Sequence, residues 1–351
     1  MKKITLFFGL VLLLVFFSGC SSNTTTTNEE NTVLEPSSIY RSEDGGMTWV
    51  SQLDPTLDLP GMSVLSLAVN PFNSDLAFFG LETGGILKTE DGGASWQKLS
   101  NFKAEKVYGL ALDPTDPRII YASGVWQKRG KIYKSLNSGD SWKELYTEAA
   151  EGPLVISLAI DKNNPLIIYA TNSENGVLQS INGGTTWKNI FRPSVPITNI
   201  IIAQNDSKKI YLLGENKIFR SLDGGKSFLD ITKKLADSLK IGLGSFYAGT
   251  TDSLGVLYIG GENGILKSIN QGETWEKIET LNDSNNFPVR ALAVSPANDM
   301  HLLYGAAMAV YRSEDGGATW SSFQIDSDSI ARALQFNLEN PDIAYFALFE
   351  K

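Results

Sequence analysis

Ser42-Glu43-Asp44-Gly45-Gly46-Met47-Thr48-Trp49 is the stretch that decides the fold, because the same eight-residue pattern returns along the chain. Later copies begin at Thr89, Ser135, Ser180, Ser221, Ser268 and Ser313, and each closes on an aromatic residue. The interval between copies is about 41 to 47 residues, the length of one four-stranded propeller blade. Within a copy, the leading Ser or Thr hydroxyl and the Asp or Asn oxygen two residues on can accept hydrogen bonds from the backbone of a tight turn. The second group is Asp44, Asp91, Asn137, Asn182, Asp223, Asn270 and Asp315. The second glycine, Gly46 in the first copy and Gly317 in the last, never varies, as expected where φ must be positive. The first glycine slot holds Ser138 and Gln271 in two copies and reads as less constrained. The closing aromatics Trp49, Trp96, Trp142, Trp187, Phe228, Trp275 and Trp320 are expected to pack between neighbouring sheets.

A short apolar strand precedes each copy, and a longer one lies further upstream, for example Val64-Leu65-Ser66-Leu67-Ala68-Val69. Inner strands begin near Val64, Val107, Val155, Ile197, Ser245, Val289 and Ala331. The last has one strand after it, and the strand that leads into the first copy, Ile39–Ser42, has no second strand before it. The fold expected is therefore all-β: a seven-bladed β-propeller of four-stranded antiparallel blades, closed by a composite blade in which Ile39–Ser42 pairs with Ile343–Leu348. Such a ring accounts for residues 39–351 and leaves no room for a second domain.

The chain has 351 residues, 39 acidic and 30 basic side chains, a net charge of −9 and a pI near 4.9. That balance argues against a nucleic-acid partner, which needs a basic surface. One cysteine and one histidine permit neither an internal disulfide nor a Cys/His zinc site, so no metal and no cofactor are expected. A Ser-His-Asp triad would have to use His301, which reads as a surface residue. Because Asn holds three of the seven Asp positions in the repeat and cannot shuttle a proton, those side chains read as structural and not catalytic.

Lys2 and Lys3 precede an apolar run from Ile4 to Phe17, followed by Ser18-Gly19-Cys20. This has the form of a signal peptide over residues 1–19 and resembles a bacterial lipobox, with Phe17 where Leu is usual. Cys20 is the expected lipidation site, and acyl chains would give a stable membrane anchor. Residues 20–38 then form a flexible polar tether, since SSNTTTTNEENTVLEP cannot bury enough surface to fold. Ser21 after the cysteine, in place of Asp, points toward the outer membrane where one exists. The expected location is the bacterial cell envelope, outside the cytoplasm.

Four residues stand out as candidate partner contacts. Arg290 and Arg332 share a register in VRALAV and ARALQF and should both approach the central channel, where they could grip a carboxylate. The alternative is pairing with Asp326 or Asp328. Trp126 and Arg129 lie in an insertion, Gly124 to Gly130, where the tryptophan serves either as a recognition anchor or as cover for its own blade. Glu82, Glu174, Glu215 and Glu262 recur after the second strand and read as a solvated rim. The longest interblade loop, Leu229 to Leu243, contains a stretch that could form a helical turn.

The pattern S/T-x-D/N-x-G-x-T/S-W/F resembles the Asp-box, or BNR, repeat over residues 39–351. Sialidases and xyloglucan-cleaving glycosidases carry it, away from their active sites. The arginine triad and Arg-Ile-Pro element of sialidases have no counterpart before Ser42. The xyloglucan enzymes place their catalytic aspartates between two propellers, whereas one is expected here. The single, membrane-associated ring looks more like the photosystem II assembly and stability factor family and, more distantly, sortilin-type receptors. That resemblance implies a non-catalytic scaffold that holds a membrane-associated protein, although the arginine cluster of the assembly factors is not evident among eight arginines. A glycoside hydrolase or glycan-binding propeller is the alternative.

Overall fold

The computed structural model describes residues 38–52, 62–325 and 329–350. The expected signal peptide, Cys20, the tether, Asp326 and Asp328 lie outside the described residues.

These residues form seven four-stranded antiparallel sheets. Blades 1 to 6 follow one another as residues 64–98, 106–147, 155–191, 197–230, 246–278 and 291–324. The seventh is composite: its strands run in the order Val50–Ser51, Ile39–Ser42, Ala344–Phe349, Ile330–Phe336. Ile39 pairs with Ala347 and Ser42 with Ala344, antiparallel. Each inner strand packs beside the next, and that of blade 7 packs beside that of blade 1, so the sheets close into a ring. The expected seven-bladed closure is therefore present, with inner strands starting within two residues of the positions read from sequence.

The second strand of every blade is buried along its length except at its last two residues in blade 2 and its last in blade 7. Second-strand tyrosines strap three of the blades to the next. Tyr121 donates its hydroxyl to Gly183 O at 3.2 Å, Tyr169 to Gly224 O at 3.1 Å, and Tyr345 to Ser74 O at 2.9 Å. The helical stretch between blades 4 and 5 is a helix over Thr232–Leu239. It seats Leu235 in the core with Ile231, Phe246 and Trp275.

The repeated turns use Asp and Asn alike. Asp91 accepts the Thr89 hydroxyl at 2.9 Å and the Ser95 amide at 2.8 Å, while the Ser95 hydroxyl donates to its second oxygen at 2.5 Å. In the Asn137 turn the amide oxygen accepts from Ser135 Oγ and Ser141 N, both at 3.0 Å, and Nδ2 donates to Ser141 Oγ at 3.0 Å. The hydroxyl reverses its role to suit the partner.

Both glycine slots are left-handed, including Ser138 at φ 54° and Gln271 at φ 64°. What separates them is space. A Cβ at the second slot would lie 2.7 Å from Leu303 at Gly46 and 2.2 Å from Ile278 at Gly317, against the preceding blade. The first slot is less tight: a Cβ would meet nothing within 4 Å at Gly224 and comes no nearer than 2.9 Å, against long side chains, at Gly45, Gly92 and Gly316. The closing aromatics fill the same seam. Trp142 lies edge-on to Phe102 at 4.8 Å, Phe228 stacks on Phe191 at 4.8 Å, and Trp320 donates Nε1–H to Glu279 O at 2.9 Å. Trp49 and Trp275 are buried and bond the carbonyls of Gly46 and Gly272.

His301 corrects one expectation. It is not a surface residue but a buried one, its ring 5.1 Å from that of Phe336. It holds the slot just before the second strand that Leu76, Ile119, Ile167, Val256 and Ile343 fill in other blades, a position facing the seam.

Candidate functional site

The inner strands start on the face that also carries the interblade loops and the turns between second and third strands; the repeat turns lie on the opposite face. At the second or third residue of these strands the ladder slips. Val64 pairs with Leu81 and Ser66 with Gly80, leaving Leu65 bulged out, and the same shift frees Tyr108, Ile156, Thr198, Tyr247 and Arg332. Arg290 stands at the equivalent place in blade 6, its amide bonded to Gly305 O at 3.0 Å. A bulge turns an otherwise buried side chain out of the ladder. The residue before each bulge is buried, whereas the bulged residues are half-buried or exposed. Seven side chains, one per blade, thereby crown one mouth of the central channel.

The crown is asymmetric. Arg290 lays its guanidinium over the Tyr247 ring, 4.3 Å from the centroid. Tyr247 donates its hydroxyl to Glu262 at 3.1 Å, and the other oxygen of Glu262 accepts the Ser245 amide at 3.0 Å. Arg332 leans the other way and donates Nε–H to Leu65 O at 3.0 Å. Between them opens a cavity of about 190 Å³ lined also by Asn199 and Gln335. Arg332 is open to water in the channel yet ringed by protein. Desolvation pulls its pKa below the ordinary value, and the positive charge of Arg290 acts in the same direction. Among the described residues neither arginine forms an ion pair. Two guanidiniums beside an open, polar cavity make a site for an anion, and a carboxylate matches their planar fork.

Trp126 and Arg129 stand elsewhere on this face. The middle strands of blade 2, Ile120–Trp126 and Arg129–Ser135, run on past their counterparts and pair Trp126 directly with Arg129. Gln127 and Lys128 make the connection at φ 53° and 62°, a tight hairpin. Gly130 donates its amide to Pro153 O and Gly152 its amide to Lys128 O, both at 2.9 Å, which braces the hairpin on the next loop. Both candidate side chains are half-buried, and no described contact joins them to the arginine pair. Of the four glutamates, Glu82 pairs with Lys106 at 3.0 Å and Glu262 is held as above, while Glu174 and Glu215 are exposed. Among the described residues no cluster of three His, Cys, Asp or Glu could hold a metal ion.

Tyr247 and Tyr108 were not legible as site residues, although their position in the repeat is the one that drew attention to Arg290 and Arg332. Aligning F-Y-A and V-Y-G with V-R-A and A-R-A would have found them.

Comparison with known proteins places the chain among several propeller groups. A family model described as "Sortilin-Vps10: Sortilin, neurotensin receptor 3" matches residues 37–177. Xyloglucanase Xgh74A of Acetivibrio thermocellus is 26% identical over 321 residues, spanning 73% of this chain but only 37% of the xyloglucanase. The photosystem II assembly lipoprotein Ycf48 of a Synechococcus species is 25% identical over 243 residues, 68% of each chain. Among solved structures, YCF48 bound to D1 peptide superposes with a TM-score of 0.63 at 13% identity, covering 84% of this chain and 98% of that one. The last likeness concerns the fold. The chain resembles assembly factors, sortilins and xyloglucan glycosidases at once.

Proposed function

We propose that this chain is a lipid-anchored, extracytoplasmic propeller that binds a protein partner without catalysis, through the channel mouth around Arg290 and Arg332. The observation that carries the reading is the arginine pair: two guanidiniums that face an open, polar cavity and form no ion pair among the described residues. A carboxylate on a partner, side chain or chain terminus, would bridge them. The relative solved with a D1 peptide is a precedent for a propeller of this size holding a polypeptide.

Ser38 accepts the Leu348 amide at 2.8 Å, and Glu350 donates its amide to Ser63 Oγ at 3.1 Å. The chain thus enters blade 7 on the mouth side. A tether reaching roughly 20–25 Å from a lipidated Cys20 would hold that mouth near the membrane, so a membrane-associated partner fits best. Capture from detergent-solubilised membranes tests this: the wild-type chain should retain a defined partner that Arg290→Gln/Arg332→Gln loses. Equal capture by both would remove the arginines from the reading. Cys20→Ser should release the protein from membranes, and unchanged fractionation would remove the anchor.

A glycoside hydrolase or glycan-binding role is the second reading, supported by the xyloglucanase likeness. It requires two opposed carboxylates about 5–9.5 Å apart. Release of reducing ends from xyloglucan or a sialoside, abolished by substituting a mouth carboxylate such as Glu262, would favour it.

A further inference from the structure

The repeat turns differ most tellingly at their second residue, whose side chain takes no part in the turn's internal hydrogen bonds. Leu136, Ile181, Leu222 and Ile269 stand there in blades 2 to 5, and Glu314, Glu43 and Glu90 in blades 6, 7 and 1. The four apolar side chains are between 45% and 71% exposed. The three glutamates show that the slot accepts a charge without harm to the fold, so folding does not account for four large aliphatic groups in consecutive blades. Leu166 lies beside the blade 3 turn, its carbonyl accepting the Gly183 amide at 2.9 Å. Leu254 adds to the band from blade 5, its carbonyl bonded by Asn205 of blade 4. Both are exposed. Single exposed leucines need no explanation, whereas a run of them along one edge marks a contact surface.

The other half of this face is acidic. Glu43, Glu90 and Glu314 are each followed by an aspartate, and each bridges to a largely buried base two residues back, Arg41, Lys88 or Arg312. Asp91 and Asp315 are held ionised by the hydroxyl and amide bonds of their own turns. Met47, Met300 and Phe72 are exposed among these carboxylates and continue the apolar character.

We propose that the repeat-turn face, opposite the arginine mouth, is a second docking surface for a protein segment that presents an apolar stripe bordered by basic side chains. The apolar arc of blades 2 to 5 takes the stripe, and the acidic arc of blades 6, 7 and 1 takes the basic border. Charge decides between occupants. An anionic lipid surface would meet an arc whose six turn carboxylates outnumber its three bridging bases, and the exposed band consists of aliphatic chains in place of the flat rings on which sugars stack. With partners on opposite faces, the ring would bridge two proteins.

The probe is a synthetic 18-residue Leu/Lys amphipathic helix, with a Leu/Glu peptide of equal apolar content as control, titrated by fluorescence anisotropy against the intact chain. The Leu/Lys peptide should bind, weaken with salt, and lose at least tenfold in affinity to Leu136→Glu/Ile181→Glu/Leu222→Glu/Ile269→Glu. Glu43→Gln/Glu90→Gln/Glu314→Gln should weaken the same peptide, while Arg290→Gln/Arg332→Gln should leave it unchanged. Far-UV circular dichroism and melting of each variant verify that it folds. Equal binding of the two peptides, or wild-type affinity in the folded quadruple variant, overturns the proposal. So does tighter binding to phosphatidylglycerol vesicles than to the peptide, or a wild-type dimer that the quadruple variant dissolves.

Discussion

Arg312 donates its Nε–H to the carbonyl oxygen of Gly45 at 3.0 Å, although 267 positions separate the two residues. Gly45 opens the left-handed pair of the composite blade's turn, and a Cβ there would press on the His301 ring at 2.9 Å. Blade 6 therefore grips the closing blade through a cation and a neutral imidazole lying side by side.

The imidazole makes the joint sensitive to acid. Burial lowers the His301 pKa from its ordinary 6.5 and the charge of Arg312 lowers it further, while a hydrogen bond to the Gly45 backbone and then the charges of Glu314 and Asp342 oppose them. A histidine with a depressed folded pKa contributes stability above pH 6.5 that is lost as pH falls toward the folded value, because the unfolded chain takes up the proton first. His301→Gln should narrow the difference in melting temperature between pH 7.5 and pH 5.5. An unchanged difference would show that the seam is not what responds.

A different window belongs to the repeat turns. Hydroxyl and amide bonds from Ser227 and Thr319 hold Asp223 and Asp315 at about 2. Their contribution is complete above the unfolded carboxylate value near 3.9 and fades as pH falls through about 2. Asp223→Asn/Asp315→Asn should melt like the parent at pH 7 and lose less stability between pH 4 and pH 2. Equilibrium denaturation across that range measures it.

The closing aromatic should behave quite differently from the carboxylate. Trp275 is buried against Ile231 and Leu235, and Trp275→Ala should cost about 3–5 kcal/mol through the cavity it leaves. Asp91→Asn should shift urea denaturation within experimental error.

At the channel mouth, sulfate serves as a surrogate anion. A site that binds only the folded chain adds about 1.4 kcal/mol when free sulfate is ten times the Kd. The melting temperature should rise with millimolar sulfate in the parent and not in Arg290→Gln/Arg332→Gln at matched ionic strength.

Ring closure predicts a contrast between two truncations. Removing residues 342–351 deletes the strand that pairs with Ile39–Ser42 and bares two strand edges. That protein should aggregate or melt far below the parent in light-scattering and calorimetric scans, while removal of residues 1–37 should leave the transition in place.

The architecture was open to reading because the turn chemistry repeats: a hydroxyl, an Asp or Asn, and a glycine with a neighbour 2.2–3.0 Å from its missing Cβ recur in every blade. Register was legible too, which is how Arg290 and Arg332 fell into line. The bulges were not, since a slip in pairing between Val107 and Gly109 or between Phe246 and Ala248 leaves no mark in residue type. Nor was the buried state of His301, whose polar character hid its place in a column that is aliphatic in five other blades.

The composite blade also settles how the ring answers to force. Ile39 lies opposite Ala347 and Ser42 opposite Ala344, so the two ends of the ring emerge side by side at the same end of the paired strands. Tension applied between them pulls across the ladder and opens it rung by rung, beginning at the Leu348–Ser38 bond, where a sheared pair would have to break every rung together. Along this one seam the ring is a zipper that a modest pull can undo.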